Sequence, residues 1–426
     1  MKAAFLHSKL GPDEELYLEM PQGFKQYDKN GRPRVLKLKR HIYGLRESPK
    51  RFYEYMVEKM AECGMRQSSF DPCLFIGETT IAVMFVDDVL MWSRDEENIA
   101  ALGADLRQRG VDLEEESDSA GFLGIDMKRI PADEEDGGKI VMTQKGLIDR
   151  VLLALGLDDN STQKGTPCLR KPLVKDENGD PVDGSFSYSS VVGMLLYLAN
   201  NTRPDLAYSV HCAARFSFCP KKSHEEALKR IGRYLKGTRD KGMVITPNLE
   251  LTELKVDAYP DSDFGGLYGY EDIHDPVVTR SRTGFIINVA DCPVLWKSQL
   301  QSETATSTME AEINAMAACC RELFPILDMV QELSGAIGLS AKDGASMHIR
   351  LHEDNAGALI LAQTIPPEFT PRSKHYAIKT NWFREQIVAR GIKLIKCETK
   401  EMLGDIFTKC LPQPQFEYLR KKIMDW

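Results

Sequence analysis

Apolar residues stand on both sides of two adjacent carboxylates in Thr80-Ile81-Ala82-Val83-Met84-Phe85-Val86-Asp87-Asp88-Val89-Leu90-Met91-Trp92. Because the flanks do not alternate, they predict strand, tight turn and strand, hidden on both faces, with the acids at the hairpin tip. Asp-Asp is ordinary turn chemistry. Two carboxylates about 4 Å apart nevertheless repel by roughly 4 kcal/mol at an effective dielectric near 20, and a divalent cation relieves that conflict. Upstream, a basic strand over 35–40 precedes a helix that opens near Ser48-Pro49 and runs to about Cys63. Downstream come a helix with acidic ends, a segment Phe122-Leu123-Gly124-Ile125-Asp126-Met127, and a hairpin through Asp136-Gly137-Gly138. The pattern over 146–165 predicts a helix ending near Gly156, and 166–187, rich in Pro, Gly and Asp, reads as a linker or long loop. An apolar stretch over 188–199 reads as a core helix that breaks at Thr202-Arg203-Pro204-Asp205.

Beyond residue 250 the period changes. A strand ends at Asp261-Ser262-Asp263, and 281–289 with 294–297 forms a hairpin. A long helix opens at Thr308, with Ile313, Met316, Leu323, Leu327 and Val330 on its apolar side. Strands over 348–352 and 392–395 follow, and Gly404-Asp405-Ile406-Phe407-Thr408-Lys409 lies on the last short helix.

At 426 residues the chain exceeds one ordinary core, so two or three domains are expected. With 42% hydrophobic and 28% charged residues it reads as globular. No apolar run approaches a membrane span, and the first residues carry no secretion signal. The 10 cysteines include no Cys-x-x-Cys, which argues against a disulfide framework or zinc ribbon and fits a reducing compartment. His348 and His352, four apart on a strand, lie about 13 Å from each other, too far to share a metal.

A net charge of −8 argues weakly against a nucleic-acid partner, but its distribution matters more than its sum. Between residues 25 and 59, basic residues including Lys39, Arg40, Arg46, Lys50 and Arg51 outnumber acids and interleave with Tyr43, Phe52, Tyr53 and Tyr55. That composition suits a surface that tracks phosphates and stacks bases. A second basic cluster, with Lys229, Arg230, Arg233 and Lys236, falls on a predicted helix. Either cluster read alone is a solvated face. The acidic stretches 114–118 and 133–136 read as solvated loops.

Several motifs together resemble the reverse transcriptase of copia-type long-terminal-repeat retrotransposons. They are Ala4-Phe5-Leu6-His7, the Tyr-x-x-x-Pro-x-Gly-Phe of residues 17–24, Tyr43-Gly44-Leu45-Arg46-Glu47-Ser48-Pro49, Phe70-Asp71-Pro72-Cys73-Leu74-Phe75 and Val86-Asp87-Asp88. The resemblance implies a right-hand polymerase palm in which Asp87 and Asp88 are catalytic and bind metal. It places the third carboxylate one residue upstream of Met1, so the expectation is a truncated palm without polymerase activity. Glu47 stands where many relatives have Gln.

The later motifs resemble the copia-type ribonuclease H, and the predicted element order is that of the ribonuclease H fold. The resemblance assigns Asp261, Glu310, Asp354 and Asp405 as catalytic and metal-binding carboxylates. Packing alone does not gather four acids, because each pair repels and each acid is costly to desolvate. Two Mg²⁺ ions would resolve the conflict and run an in-line cleavage of RNA in an RNA/DNA hybrid. Pro260 removes a ladder donor just before Asp261, which leaves Asp257 as a rival for the first ligand. Lys374-His375 matches a pair in the family, with the role of His375 open between a site residue and a surface histidine.

The expected organisation is α/β and α+β multidomain. A truncated palm over 1–145 leads to a thumb and connection over 146–249, a ribonuclease H-like domain with a mixed five-stranded sheet over 250–412, and a tail over 413–426. The implied partners are RNA/DNA hybrid, RNA template, DNA and upstream Pol and Gag products, with no membrane, in a cytoplasmic particle or the nucleus. Nucleic-acid contacts are expected from the two basic clusters and Arg282. The alternative is a non-catalytic remnant or host-adopted module that binds nucleic acid.

Overall fold

A computed structural model describes residues 4–11, 14–114, 121–131, 138–247, 253–336, 346–363 and 374–426, without the side chains of 253, 336, 346 and 374–379. Contacts divide the chain into two compact units. One comprises residues 1–117 and 327–343; the other comprises 118–326 and 344–426.

The first unit holds a two-stranded ribbon, β1 (Tyr17–Glu19) and β2 (Val35–Lys37), followed by α1 (Ser48–Glu62). A four-stranded antiparallel sheet follows, in the order β3 (Arg66–Gln67), β4 (Leu74–Ile76), β5 (Thr80–Phe85) and β6 (Asp88–Ser93), and α2 spans Glu96–Gln108. Pro49 suits the first turn of α1, where its missing N–H has no intrahelical acceptor to lose. Phe52, Met56 and Met60 then recur at helical spacing and pack with Leu102 and Leu106 of α2 against Ala82 and Met84 of β5. The expected burial of the acidic hairpin on both faces does not hold. Only the Ala82/Met84 face is closed, Phe85, Val86 and Trp92 are exposed, and β6 is an edge strand. The two helices cover one face of this sheet, and an apolar run records no face when a strand lies at an edge.

The second unit begins with β7 (Asp126–Ile130), β8 (Lys139–Thr143) and α3 (Lys145–Ala154). Next come α4 (Tyr188–Asn201), α5 (Ala207–Ala214), α6 (Lys222–Gly237) and β9 (Met243–Ile245), which pairs with β8. Gly156 has φ +65 just after α3, as a helix stop requires. Then follow β10 (Glu253–Asp263), β11 (Arg282–Val289), β12 (Cys292–Leu300), α7 (Thr308–Ala336), β13 (Ser346–Glu353), α8 (Ala356–Gln363), α9 (Lys374–Ala389), β14 (Lys393–Lys396), a 3₁₀ segment Leu403–Phe407 and α10 (Gln413–Met424). From Leu327 onward α7 groups with the first unit.

The five-stranded sheet runs β12-β11-β10-β13-β14. Its first three strands are antiparallel, whereas β10, β13 and β14 are parallel. The fold is mixed α/β, and the mixed five-stranded sheet is the one expected from the sequence. Ile148, Leu195, Leu198, Leu228 and Leu235 of the helices share one core with Ile286 of β11, Phe407 of the 3₁₀ segment and Leu419 of α10. Two expectations of organisation differ here. Residues 118–249 group with the sheet rather than forming separate palm-end and thumb domains. Residues 413–424, expected as a tail, form α10, because Phe416, Leu419 and Ile423 make an apolar stripe that the core takes up.

Candidate functional site

β10 enters the site from the sheet centre. Its pairing with β13 stops at Ala258↔Leu351, while its pairing with β11 continues to Asp263↔Arg282. Pro260 therefore lies where β10 has a neighbour on only one side, a position that tolerates a missing donor. Asp261 follows, 1% exposed. Asp354 directly follows the end of β13, the parallel neighbour, and Glu312 comes from the second turn of α7. Oxygens of Asp261, Glu312 and Asp354 lie within 4.8 Å of one another.

Asp405 approaches the same centre on the 3₁₀ segment. Lys409 joins it to Asp261, its Nζ standing 2.7 Å from Asp405 Oδ1 and 3.3 Å from Asp261 Oδ1. Thr408 Oγ1 donates to the other oxygen of Asp261. Two glycines permit this approach. A Cβ on Gly404 would stand 2.6 Å from Asp261 Cβ, and one on Gly284 of β11 would stand 2.6 Å from Phe407 Cβ.

Glu310, one of the four expected ligands, is placed elsewhere. Its carboxylate accepts from the backbone N–H and the hydroxyl of Thr306, at 2.6 and 2.9 Å, while Ser307 Oγ accepts from the Glu310 N–H. This is capping-box chemistry at the start of α7. The spacing Ser307-x-x-Glu310 was the signal available for it, and Glu312, which joins the acids, was missed. Asp257, the rival first ligand, is also placed apart. It takes a two-pronged ion pair from Arg350, at 2.7 and 2.6 Å, and a contact of 2.6 Å with His352, which stacks on Tyr259. His375 belongs to α9, but its side chain lies outside the described residues.

Burial sets the electrostatics. The buried Asp261 carboxyl is pushed up to about 8, against the pull of Lys409. Burial and the charges of Asp261, Glu353 and Asp354 push Glu312 up to about 10. Glu353, beside Asp354, is buried and pushed up to about 8, and Asp405 is raised by burial. Glu312 Oε2 and Glu353 Oε2 are buried with no hydrogen-bond partner. Orphaned oxygens beside two more carboxylates form a donor set suited to a hard divalent cation.

In the first unit, Asp87 lies in the two-residue loop Val86-Asp87 and Asp88 opens β6, opposite Phe85. Val86 has φ +53, a strained conformation for a β-branched residue and one that often accompanies a functional turn. Among the described residues, no third carboxylate, histidine or cysteine completes a cation-binding group with this pair.

The expected nucleic-acid contacts are redistributed. Arg282 is 4% exposed and holds His211 and Ser298 at 3.0 and 3.2 Å, over the ring of Tyr208. Lys236 donates to three carbonyls at 158, 159 and 161, Arg230 to Thr166, and Lys229 and Arg233 face Glu226. Arg51 pairs with Glu14 and Glu54, Lys50 stands 3.9 Å from Glu54, and Arg40 donates to the Leu6 carbonyl. Lys39 and Arg46 are exposed. The second cluster thus ties helix to loop within its unit, a use that composition does not distinguish from phosphate binding.

Residues 1–170 match the family model described as reverse transcriptase (RNA-dependent DNA polymerase). Along 99% of its length the chain is 30% identical to the retrovirus-related Pol polyprotein from transposon TNT 1-94 of Nicotiana tabacum. The same identity and coverage hold for the Pol polyprotein from transposon RE2 of Arabidopsis thaliana. Along its length the chain is similar to copia-type Pol polyproteins, as its motifs suggested. It spans only 30% and 27% of the length of those two relatives. Among solved structures, a foamy viral protease–reverse transcriptase in complex with double-stranded DNA is 12% identical. It covers 93% of this chain and 58% of its own, with a TM-score of 0.44. The ribonuclease H1 LC11, isolated from compost, is 10% identical over 41% of this chain and 97% of its own, with a TM-score of 0.22. At these scores the fold rests on the strand order of the chain itself. Among its described residues, no helix is long and apolar enough to cross a membrane.

Proposed function

We propose that the second unit is a divalent-metal-dependent nuclease that cuts the RNA strand of RNA/DNA hybrids. The observation that carries the reading is the convergence of Asp261, Glu312 and Asp354, three acids from three separate elements, within 4.8 Å. Asp261, Glu312 and Asp354 would hold the cation, with Asp405 beside them, and an all-oxygen set favours Mg²⁺. The bound ion would supply charge for activating water and for stabilising the leaving 3′-oxygen of a phosphodiester. The chain's own residues supply the rest. The sheet fixes Asp261 and Asp354 near the ends of neighbouring strands, and Thr408 and Lys409 orient the buried Asp261 carboxylate.

The inferred polymerase role of the first unit rests on Asp87 and Asp88, and this pair alone does not complete a two-ion site. Cleavage by the second unit is therefore the activity proposed. A non-catalytic binding module is less well supported, since much of the basic surface is engaged internally and three acids at one point repel a phosphate backbone.

The test is cleavage of a labelled RNA/DNA hybrid by the purified chain with Mg²⁺, beside Asp354→Asn and Glu312→Gln. Cleavage lost in both folded variants supports the reading. A folded wild-type chain that binds hybrid without cutting it overturns the reading.

A further inference from the structure

The acid cluster has two unequal halves that share Asp261. On one side stand Glu312 and Asp354, whose oxygens lie near Asp261 with the Glu312 Oε2 atom unpartnered. On the other side stands Asp405, and Lys409 Nζ bridges the two acids, at 3.3 and 2.7 Å from one oxygen of each. The Asp261 oxygen that Lys409 leaves free is taken by Thr408. Both donors come from consecutive positions just beyond one 3₁₀ segment, and Lys409 is four residues from Asp405.

A cation bridging Asp261 Oδ1 and Asp405 Oδ1 would need the two oxygens that the ammonium holds. Mg²⁺ sits about 2.0–2.1 Å from its ligands, so the ion and the ammonium cannot share that gap. Lys409 is not enclosed there. Its side chain is 34% exposed, whereas those of Asp261 and Asp405 are 1% and 7% exposed. A flexible four-carbon stem lets such a head group move to solvent while the carboxylates stay fixed.

We propose that Lys409 is a displaceable counter-cation for the Asp261–Asp405 half of the site. It leaves the Asp261–Glu312–Asp354 half open to one divalent cation and admits a second only when it withdraws. The arrangement rests on the metal-dependent reading above and adds an order of loading to it. The first ion binds without moving Lys409. The second is favoured by a bound strand, whose phosphate offers the ammonium another partner.

The experiment counts Mn²⁺ ions by electron paramagnetic resonance titration of the full chain. All proteins carry Asp87→Asn and Asp88→Asn, so that the exposed hairpin adds no ion. With Lys409 present, one ion binds; Lys409→Met gains a second, its affinity raised about 10-fold or more. Lys409→Arg behaves as the chain with Lys409, and Lys409→Met with Asp405→Asn returns to one ion. Melting temperatures establish that each variant is folded. Equal stoichiometry and affinity with and without Lys409 overturn the counter-cation role and leave the one-ion nuclease reading standing. No bound Mn²⁺ in any variant overturns both. A measurement that needs no substitution at residue 409 follows its labelling by an amine-reactive reagent, read by peptide mass spectrometry. Labelling rises as Mn²⁺ exceeds the amount that fills the first half, and labelling that stays constant through saturation overturns the proposal.

Discussion

Glu310 and Glu312 stand two residues apart on α7, and a helix turns about 100° per residue, so they face nearly opposite directions. The first binds Thr306 ahead of the helix, and the second enters the acid cluster. Their substitutions should therefore separate. If Glu312 holds a cation as proposed, Glu312→Gln removes an interaction worth several kcal/mol, so hybrid cleavage should fall on the order of 100-fold or more with little loss of fold. Glu310→Gln weakens a cap, so stability should fall by about 0.5–2 kcal/mol while the folded chain keeps most of the proposed cleavage rate. Cleavage rates and urea unfolding, run on both variants, check this. A reversed pattern would return Glu310 to the site. The choice between the two lay in side-chain direction. The family's order points to this stretch of acids, but only the capping spacing from Ser307 tells which glutamate faces inward. Asp257 teaches a similar lesson, since its rivalry with Asp261 turned on Pro260. What resolves it is where the β13 ladder ends, and the chain does not print that.

At the scale of elements, the site depends on how closely the 3₁₀ segment Leu403–Phe407 approaches β10 and β11. Gly404 and Gly284 mark the two contacts, and each would bring a Cβ to 2.6 Å from a neighbour's Cβ. The neighbours are bound to backbone and cannot rotate away. Gly404→Ala should therefore push the segment off Asp261, costing about 1–3 kcal/mol of stability and lengthening both contacts of Lys409. Cleavage should fall by more than stability explains, because Asp405 moves with the segment. Comparing activity at a temperature where the variant is fully folded separates the two effects, and a folded variant of normal rate would show that this contact does not set the geometry. The elements themselves were largely legible. Strand, hairpin, long helix and strand follow from runs of β-branched and apolar residues, and α3 ends at a glycine. Burial was less legible. The hairpin of Asp87 and Asp88 reads as enclosed from its apolar flanks, whereas β6 is an edge, and which strand lies at an edge depends on sheet order.

For the molecule as a whole, the acid cluster makes stability depend on pH in a direction opposite to that of ordinary salt-bridged carboxylates. Asp261 and Glu353 are raised to about 8 and Glu312 to about 10 in the folded chain, against reference values of 3.8 and 4.5. For a raised group the folded state holds the proton more tightly. Its stabilising contribution is complete below the unfolded value and is lost as pH climbs through the folded one. His211 acts with the other sign, because burial lowers it from 6.5 to about 4, so its contribution is lost as pH falls below 6.5. The window from about pH 7 to about pH 9 lies above that interference. In EDTA the melting temperature should drop across this window as protons leave carboxyls that cannot then be solvated. Mg²⁺ should flatten the drop by taking the protons' place, since binding to the folded state alone stabilises it by mass action. Glu312→Gln should reduce the slope in EDTA, having removed one of the acids that ionise late. The check is a set of melting curves at fixed ionic strength. A melting temperature that holds steady in EDTA between about pH 7 and about pH 9 would mean that the three acids are not held protonated together.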